Sequence, residues 1–249
     1  MFKRSAVSAP FALFFAMLMC AGFSAGAGLR EIVIDSFSDE TTAEGIPKGW
    51  ESLTFKKVPN HTQYSIAKSG ADFFVKAVSR NSSSAIFKQV GLSAKEFSVL
   101  KWRWKIENVL IKSNAAKKSG DDYAARIYVA FKYDPAQASL WEKAKYGAVK
   151  QLYGKYPPKG ALVYVWDNKL PVGTALDNAY TDRAKIIVIE SGKEKAGQWV
   201  SEERNIYQDY LKLFGQEPPE ILFVAVMSDT DNTGESTVAY FDDISLGSK

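Results

Sequence analysis

Apolar and polar residues alternate with period two along most of the chain, the pattern of half-buried β-strands. Residues 31–36 begin the series, with Ile32 and Ile34 on one face. Segments 62–67, 72–79 and 84–90 follow, separated by turn-forming residues at Ser69-Gly70 and around Asn81. Segment 99–107 is the clearest strand, with Trp102, Trp104 and Ile106 pointing one way and Lys101, Arg103 and Lys105 the other. Segment 124–132 alternates equally well, Ile127, Val129 and Phe131 opposing Arg126 and Tyr128. Further strands are expected at 161–166, 185–190, 198–203, 220–227 and 237–246. About eleven strands at hairpin-like spacing predict an all-β fold, a two-sheet antiparallel β-sandwich of jelly-roll type.

Two segments switch to a helical period. Segment 137–153 places Trp141, Ala144, Ala148, Val149 and Leu152 on one stripe and Lys143, Lys145 and Lys150 elsewhere, which predicts an amphipathic helix packed on the sandwich. Segment 206–214 carries fuller signals. Asn205 can cap it, Gln208 stands where a capping-box partner belongs, and Gly215 with Pro218-Pro219 ends it. Its buried face is expected to be Ile206, Tyr207, Tyr210, Leu211 and Phe214. In the last strand Asp242 and Asp243 are adjacent, so one must face inward or sit at a bulge.

The start of the chain departs from this pattern. Lys3 and Arg4 precede an uncharged apolar run from Phe11 to Gly22, and Ala25-Gly26-Ala27 fits a small-x-small cleavage site. Residues 1–27 therefore read as a signal peptide, residues 28–249 as a single β-sandwich domain, and the expected location is the periplasm. Cys20, the one cysteine, follows Met19 rather than the small residue lipidation calls for, so a lipoprotein is not expected. Without the leader no cysteine remains, which excludes disulfides and thiol chemistry. Loss of Lys3 and Arg4 lowers the formal net charge from +4 to +2, and no basic tract marks a nucleic-acid partner. No second apolar run follows that could span a membrane.

Polar residues gather beside particular strands. Asp121 and Asp122 precede the strand with Arg126 and Tyr128, and Asp167 and Asn168 follow Trp166. Asn178, Asp182 and Arg183 precede segment 185–190, while Glu203, Arg204 and Asn205 close segment 198–203 just before Asp209. Asp229, Asp231 and Asn232 follow segment 220–227. If the chain reverses at every connection, all of these meet on one rim. Asp121, Asp122, Arg126, Tyr128, Trp166, Asp167, Arg183, Arg204 and Asp209 are then the candidate ligand-binding residues for a carbohydrate or another polar envelope ligand. Asp229, Asp231 and Asn232 could supply oxygen ligands to Ca²⁺, although the segment lacks the full EF-hand pattern. The alternative is turn formation, for which Asp, Asn and Gly are the usual residues.

Catalytic signatures are weak. His61, the one histidine, lies in a turn-like Pro59-Asn60-His61-Thr62, and no nucleophile elbow or phosphate loop is present. A glycan-active enzyme remains the alternative, as a hydrolase using two of Glu190, Asp209 and Asp229 or as a lyase using Tyr128 with Arg126 and Arg204.

Several stretches together resemble one family: Lys118-Ser119-Gly120-Asp121-Asp122, Ala125 through Phe131, Tyr164-Val165-Trp166, Trp199 through Asn205, and Met227-Ser228-Asp229-Thr230-Asp231-Asn232-Thr233-Gly234. The chain resembles the bacterial domain-of-unknown-function family 3047, whose members are exported proteins of similar length. That resemblance implies a single structural unit and names no activity. Asp35-x-Phe37 and Gly49-Trp50, with the closing Phe241-Asp242-Asp243-Ile244, also look like jelly-roll carbohydrate-binding modules. This second likeness implies fold only.

Overall fold

In chain order the strands are β1 (Glu31–Asp35), β2 (Glu51–Leu53), β3 (Gln63–Ser69), β4 (Asp72–Arg80), β5 (Ser83–Leu92), β6 (Val99–Ile106), β7 (Ala125–Phe131), β8 (Gly160–Asp167), β9 (Ala175–Asn178), β10 (Thr181–Ser191), β11 (Val200–Asn205), β12 (Ile221–Asp229) and β13 (Ser236–Gly247). Two α-helices interrupt them, α1 (Leu140–Tyr153) and α2 (Ile206–Phe214). The computed structural model describes residues 30–153 and 156–248, so the leader expected at 1–27, with Cys20, lies outside the described residues. None of the helices described is long and apolar enough to cross a membrane.

The expected β-sandwich forms from two sheets. Sheet A has the order β11-β6-β13-β4-β3, with β1 beside the second half of β13. Sheet B has the order β2-β5-β12-β7-β8-β10-β9. Period-two alternation sets the packing. Trp102, Trp104 and Ile106 of β6 are buried against Ile127, Val129 and Phe131 of β7. Trp102 stacks on Tyr164 at 5.5 Å and Trp104 tilts against Trp166 at 5.9 Å, so large aromatic rings fill the space between the layers. The expected break at Asp242 is a bulge between Asp242 and Ser245, with Asp243 at a positive φ of 49°.

Sequence and structure part company over strand direction. Reversal at each connection makes segment 185–190 antiparallel to segment 161–166, yet β10 runs parallel to β8. The cause is β9, a four-residue strand that carries the chain back before β10 begins and pairs antiparallel with it. Every later direction is thereby inverted, and β11 runs down β6 with Asn205 opposite Val99. The inversion is undone by α2, which crosses the far end of the sandwich instead of traversing its length. Tyr210 packs on Phe131 at 4.4 Å, and a Cβ on Gly160 would lie 3.1 Å from the Phe214 ring, so that crossing depends on a glycine. β12 therefore returns to its expected direction, antiparallel to β7.

The helix α2 forms as its sequence signals require. The Asn205 side chain accepts from the Gln208 N–H at 2.9 Å, and Gly215 adopts the left-handed conformation. Of its expected face, Ile206 and Tyr210 are fully buried, whereas Leu211 is exposed. Of the stripe expected in α1, Trp141, Ala144 and Ala148 face solvent, Val149 and Leu152 lie outside the described side chains, and Tyr146 is the helix's buried side chain among those described.

Candidate functional site

Part of the outer face of sheet B, over β8 and β10, is covered rather than open to solvent. Residues 108–124 leave sheet A and fold over it, burying Ala115 and Tyr123 against Val163, Val165, Ile186 and Val188. Asn168 fixes the start of this segment by donating to the carbonyls of Leu110, Ile111 and Ser113 at 2.8, 3.2 and 3.2 Å. Glu235 accepts from the Ile111 and Lys112 N–H groups at 3.1 and 2.9 Å. At the tight turn before Asp121 only glycine fits, because a Cβ on Gly120 would stand 2.7 Å from the Asn114 backbone nitrogen.

Under this cover lies Arg126, which strand alternation aims outward and which is 2% exposed. Its Nε donates to Asp229 Oδ1 at 2.8 Å, and its Nη2 to Asp229 Oδ2 and, at 2.5 Å, to the Asp121 carbonyl. Nη1 donates to the Tyr128 hydroxyl at 3.3 Å and faces Asp121 Oδ1 at 3.6 Å. The Tyr123 ring covers the guanidinium at 4.4 Å. Beside this pair, Asp122 accepts from Asn232 N, Asn232 Nδ2 and Thr233 N at 3.2, 3.1 and 2.7 Å. The tip of the β9–β10 hairpin completes the cluster: Asn178 donates to Asp121 Oδ2 at 3.0 Å and the Tyr180 hydroxyl to Asn232 Oδ1 at 2.7 Å.

Asp121, Asp122, Arg126, Tyr128, Asp229, Asp231 and Asn232 thus do converge, although most of their bonding capacity is spent on one another. Burial raises the Asp229 carboxyl to about 8, with the guanidinium opposing the shift and Asp122 adding to it. Burial likewise raises Asp121. Burial opposes the charge on Arg126, but Asp229, Tyr128, Asp121 and Tyr123 together hold it well above its usual range. Asp167 lies at the same end, where its Oδ1 accepts from the N–H groups of Lys169 and Leu170 at 2.8 and 2.7 Å and shapes a turn.

The other expected site residues are elsewhere. Trp166 faces the core and donates to the Gly192 carbonyl at 3.0 Å, so its ring is no platform for a ligand. Arg204 and Asp209 pair beneath α2 at 2.6 Å, and Tyr164 donates to the same carboxylate at 2.9 Å. Arg183 sits over Tyr146 at 5.2 Å. The inverted directions of β10 and β11 account for the displacement of Arg183, Arg204 and Asp209, whereas alternation along β8 turns Trp166 inward with Leu162 and Tyr164. Consequently Tyr128, Arg126 and Arg204 form no common lyase centre, and Glu190, Asp209 and Asp229 are each committed to a different cation, Lys195, Arg204 and Arg126. His61 lines a 330 Å³ cleft whose walls hold no carboxylate.

A cation fits the rim poorly. Asp122, Asp229 and Asp231 each bring one oxygen within 4.8 Å of the others, a spacing suited to an ion. Ca²⁺ needs six to eight oxygens, yet both Asp229 oxygens accept from Arg126 and both Asp122 oxygens accept N–H groups. Asn232 Oδ1 accepts from Tyr180. The guanidinium already supplies the positive charge that a metal would bring.

The outer face of sheet A is built differently. β6 presents Lys101, Arg103 and Lys105 there, β13 presents Tyr240, and β4 presents Phe74. Trp199, in the loop before β11, packs edge-on to buried Phe74 at 5.3 Å and 6.3 Å from Tyr240, with both Trp199 and Tyr240 half-exposed. Lys105 stands 4.3 Å from the Tyr240 ring centre and Arg103 4.9 Å from that of Trp199. Next to Trp199 a cleft of about 390 Å³ is lined by Lys101, Arg103, Ser201, Glu203, Asp243 and Ser245 among others. Arg103 joins the two features and is fixed by Asp242 at 2.5 Å and Asp243 at 2.9 Å. The bulge in β13 turns Asp243 toward this cleft. Strand alternation signals Arg103 and Lys105 in the sequence, whereas nothing there links Trp199 to Tyr240.

A family model described as "Protein of unknown function (DUF3047)" matches residues 48–245. No curated protein matches the chain. Among solved structures, the chain is similar to a family 11 carbohydrate-binding module of a cellulosomal cellulase of Clostridium thermocellum, at 12% identity over 88% of this chain and 95% of that one, TM-score 0.43. It is also similar to the xyloglucanase domain of a type three effector from Sinorhizobium fredii, at 11% identity, 80% and 98% coverage and TM-score 0.40. A cleaved adhesin domain of Lys-gingipain from Porphyromonas gingivalis matches at 13% identity, 83% and 95% coverage and TM-score 0.36.

Proposed function

The chain therefore belongs to the DUF3047 family, one of unknown function, and we propose that it is an exported, non-catalytic binding protein for a carbohydrate that lies across the outer face of sheet A. One observation carries the reading: an open sheet face on which a cleft of about 390 Å³ meets the half-exposed rings of Trp199 and Tyr240 at Arg103. That volume is in the range of small-ligand sites. Arg103, Lys101 and the hydroxyls of Ser201 and Ser245 can hydrogen bond to sugar hydroxyls, and an aromatic face receives the C–H face of a pyranose ring. The leader read from residues 1–27 supports export. The rim carboxylates, which the sequence offers as the ligand site, act in this reading as the fastening that holds residues 108–124 in place.

Titration calorimetry against a panel of neutral and acidic soluble polysaccharides tests the reading. Trp199→Ala is expected to weaken binding about tenfold or more, the usual effect of removing an aromatic anchor, with circular dichroism unchanged and no new reducing ends released from any glycan. Undiminished affinity in Trp199→Ala, with binding lost instead in Asp231→Ala, would move the ligand to the rim. Release of product would make the protein an enzyme.

A further inference from the structure

Helix α1 presents an amphipathic surface that the binding face does not use. A stripe of apolar residues at helical spacing ordinarily packs inward. Here Trp141 is 69% exposed and Leu140 86%, and Ala144 and Ala148 lie open on the same side. The helix is anchored from its other side, by Tyr146 stacked on Tyr133 at 4.0 Å and by the Glu142–Lys159 ion pair. Its apolar stripe therefore points away from the sandwich.

The charges around that stripe have one sign. Glu142 is the helix's single acid and is neutralised by Lys159. Lys143 and Lys145 are exposed and neither forms an ion pair with a carboxylate among the described residues, whereas Lys150, one turn from Tyr146, stands 4.5 Å from the Tyr156 ring centre on the anchored side. Lys145 stands 4.7 Å from the Trp141 ring centre, which places ammonium and indole side by side.

We propose that this face of α1 docks on a membrane surface rich in anionic phospholipid, with Trp141 and Leu140 entering the headgroup region and Lys143 and Lys145 meeting phosphates. Tryptophan is enriched at that depth, and a basic amphipathic helix lies in the plane of the interface. With 14 residues, α1 is too short to span a bilayer, so it rests on the surface. Charge disfavours a second copy of the chain as the occupant, because a two-fold contact through this face would set lysines against lysines. Two large apolar side chains also fall well short of a stable protein interface, which buries about 800 Å² on each partner. Lipid association needs only shallow apolar insertion plus basic charge, the two signals found here.

Co-sedimentation with vesicles of phosphatidylglycerol and phosphatidylethanolamine, against vesicles of phosphatidylcholine alone, tests the proposal. Every comparison is between variants of the same full chain, so any contribution from residues 1–29 is common to all. The wild type should partition onto the anionic vesicles and be released by high salt. Each lysine should contribute about fivefold, so the double change Lys143→Gln, Lys145→Gln should lower partitioning about 25-fold. Trp141→Ser should lower it further than Trp141→Phe, with melting curves superimposable on wild type. The difference in quenching by brominated lipid between wild type and Trp141→Phe isolates that one ring and should be positive. Equal partitioning of Trp141→Ser and wild type, absence of that quenching difference, or a solution dimer abolished by Trp141→Ser would each overturn the proposal.

Discussion

Replacing Arg126 by methionine separates a structural fastening from a ligand site. The guanidinium makes two hydrogen bonds to Asp229, one to the Asp121 carbonyl and one to the Tyr128 hydroxyl, all under the Tyr123 ring. Methionine fills much of the same volume but leaves Asp229 and Asp121 buried without their cation. Removing one partner of a buried pair costs about 3–5 kcal/mol. For a chain of this size each kcal/mol moves the melting midpoint about 2–4 °C, so the variant should melt roughly 6–20 °C below wild type. Part of that loss should be recovered in acid. Asp229 already titrates high, at about 8 in the intact cluster, and losing the guanidinium raises it further. A folded pKa above the unfolded one stabilises most at low pH, and that contribution disappears as pH rises through the folded value. The deficit should therefore be smaller at pH 5 than at pH 8, measured by urea unfolding followed through tryptophan fluorescence. In the double variant with Asp229→Leu, the two losses should be less than additive by about 2 kcal/mol. Glycan affinity per folded molecule should not change. An Arg126→Met protein within about 1 kcal/mol of wild type, with a parallel pH profile, would show that the cluster does not fasten the loop.

Two further outcomes follow from the same electrostatics. Glu202, raised to about 7 by burial and then by Glu190 at the open seam between β10 and β11, adds stability below about pH 4.5 that is lost as pH rises through 7. Glu202→Gln should thus flatten the stability profile over that interval and be more stable than wild type at pH 8, by about 1–2 kcal/mol after allowing for solvent screening; urea unfolding across pH reads this directly. Because the rim oxygens are already occupied, neither millimolar Ca²⁺ nor a chelator should move the melting midpoint by more than about 1 °C, whereas a site at a hundred times its Kd would add about 2.7 kcal/mol.

Strand positions were legible because a half-buried strand must alternate, and β6 and β7 show the rule at its strongest. Direction was less legible. β9 reads Ala175-Leu176-Asp177-Asn178, two apolar residues followed by two polar ones with no alternation to announce a strand, yet its four residues reverse everything up to α2. That single omission displaced Arg183, Arg204 and Asp209 from their expected neighbours. Helical spacing in α1 was equally ambiguous, since periodicity records that one side is apolar without recording what it faces. Trp141 satisfies the pattern of a packed helix and of an interfacial one alike.

The same ambiguity governs Arg126 and the aspartates near it. Alternation assigns Arg126 to the face opposite Ile127, which for a two-layer protein means solvent, unless a loop covers that face. Residues 108–124 carry little sign of doing so, their buried apolar contribution resting largely on Leu110, Ala115 and Tyr123. A loop with so small a core must be held by polar contacts, and a chain with a single cysteine can form no disulfide within itself to substitute. Buried hydrogen-bonded charge then does the fastening, which requires acids and amides where several strands end together. Dense carboxylates at loop tips in a β-sandwich without disulfides therefore point first to a loop that needs anchoring. Ligand chemistry is better sought on the outer face of sheet A, which residues 108–124 leave open and where Trp199, Tyr240 and Arg103 stand.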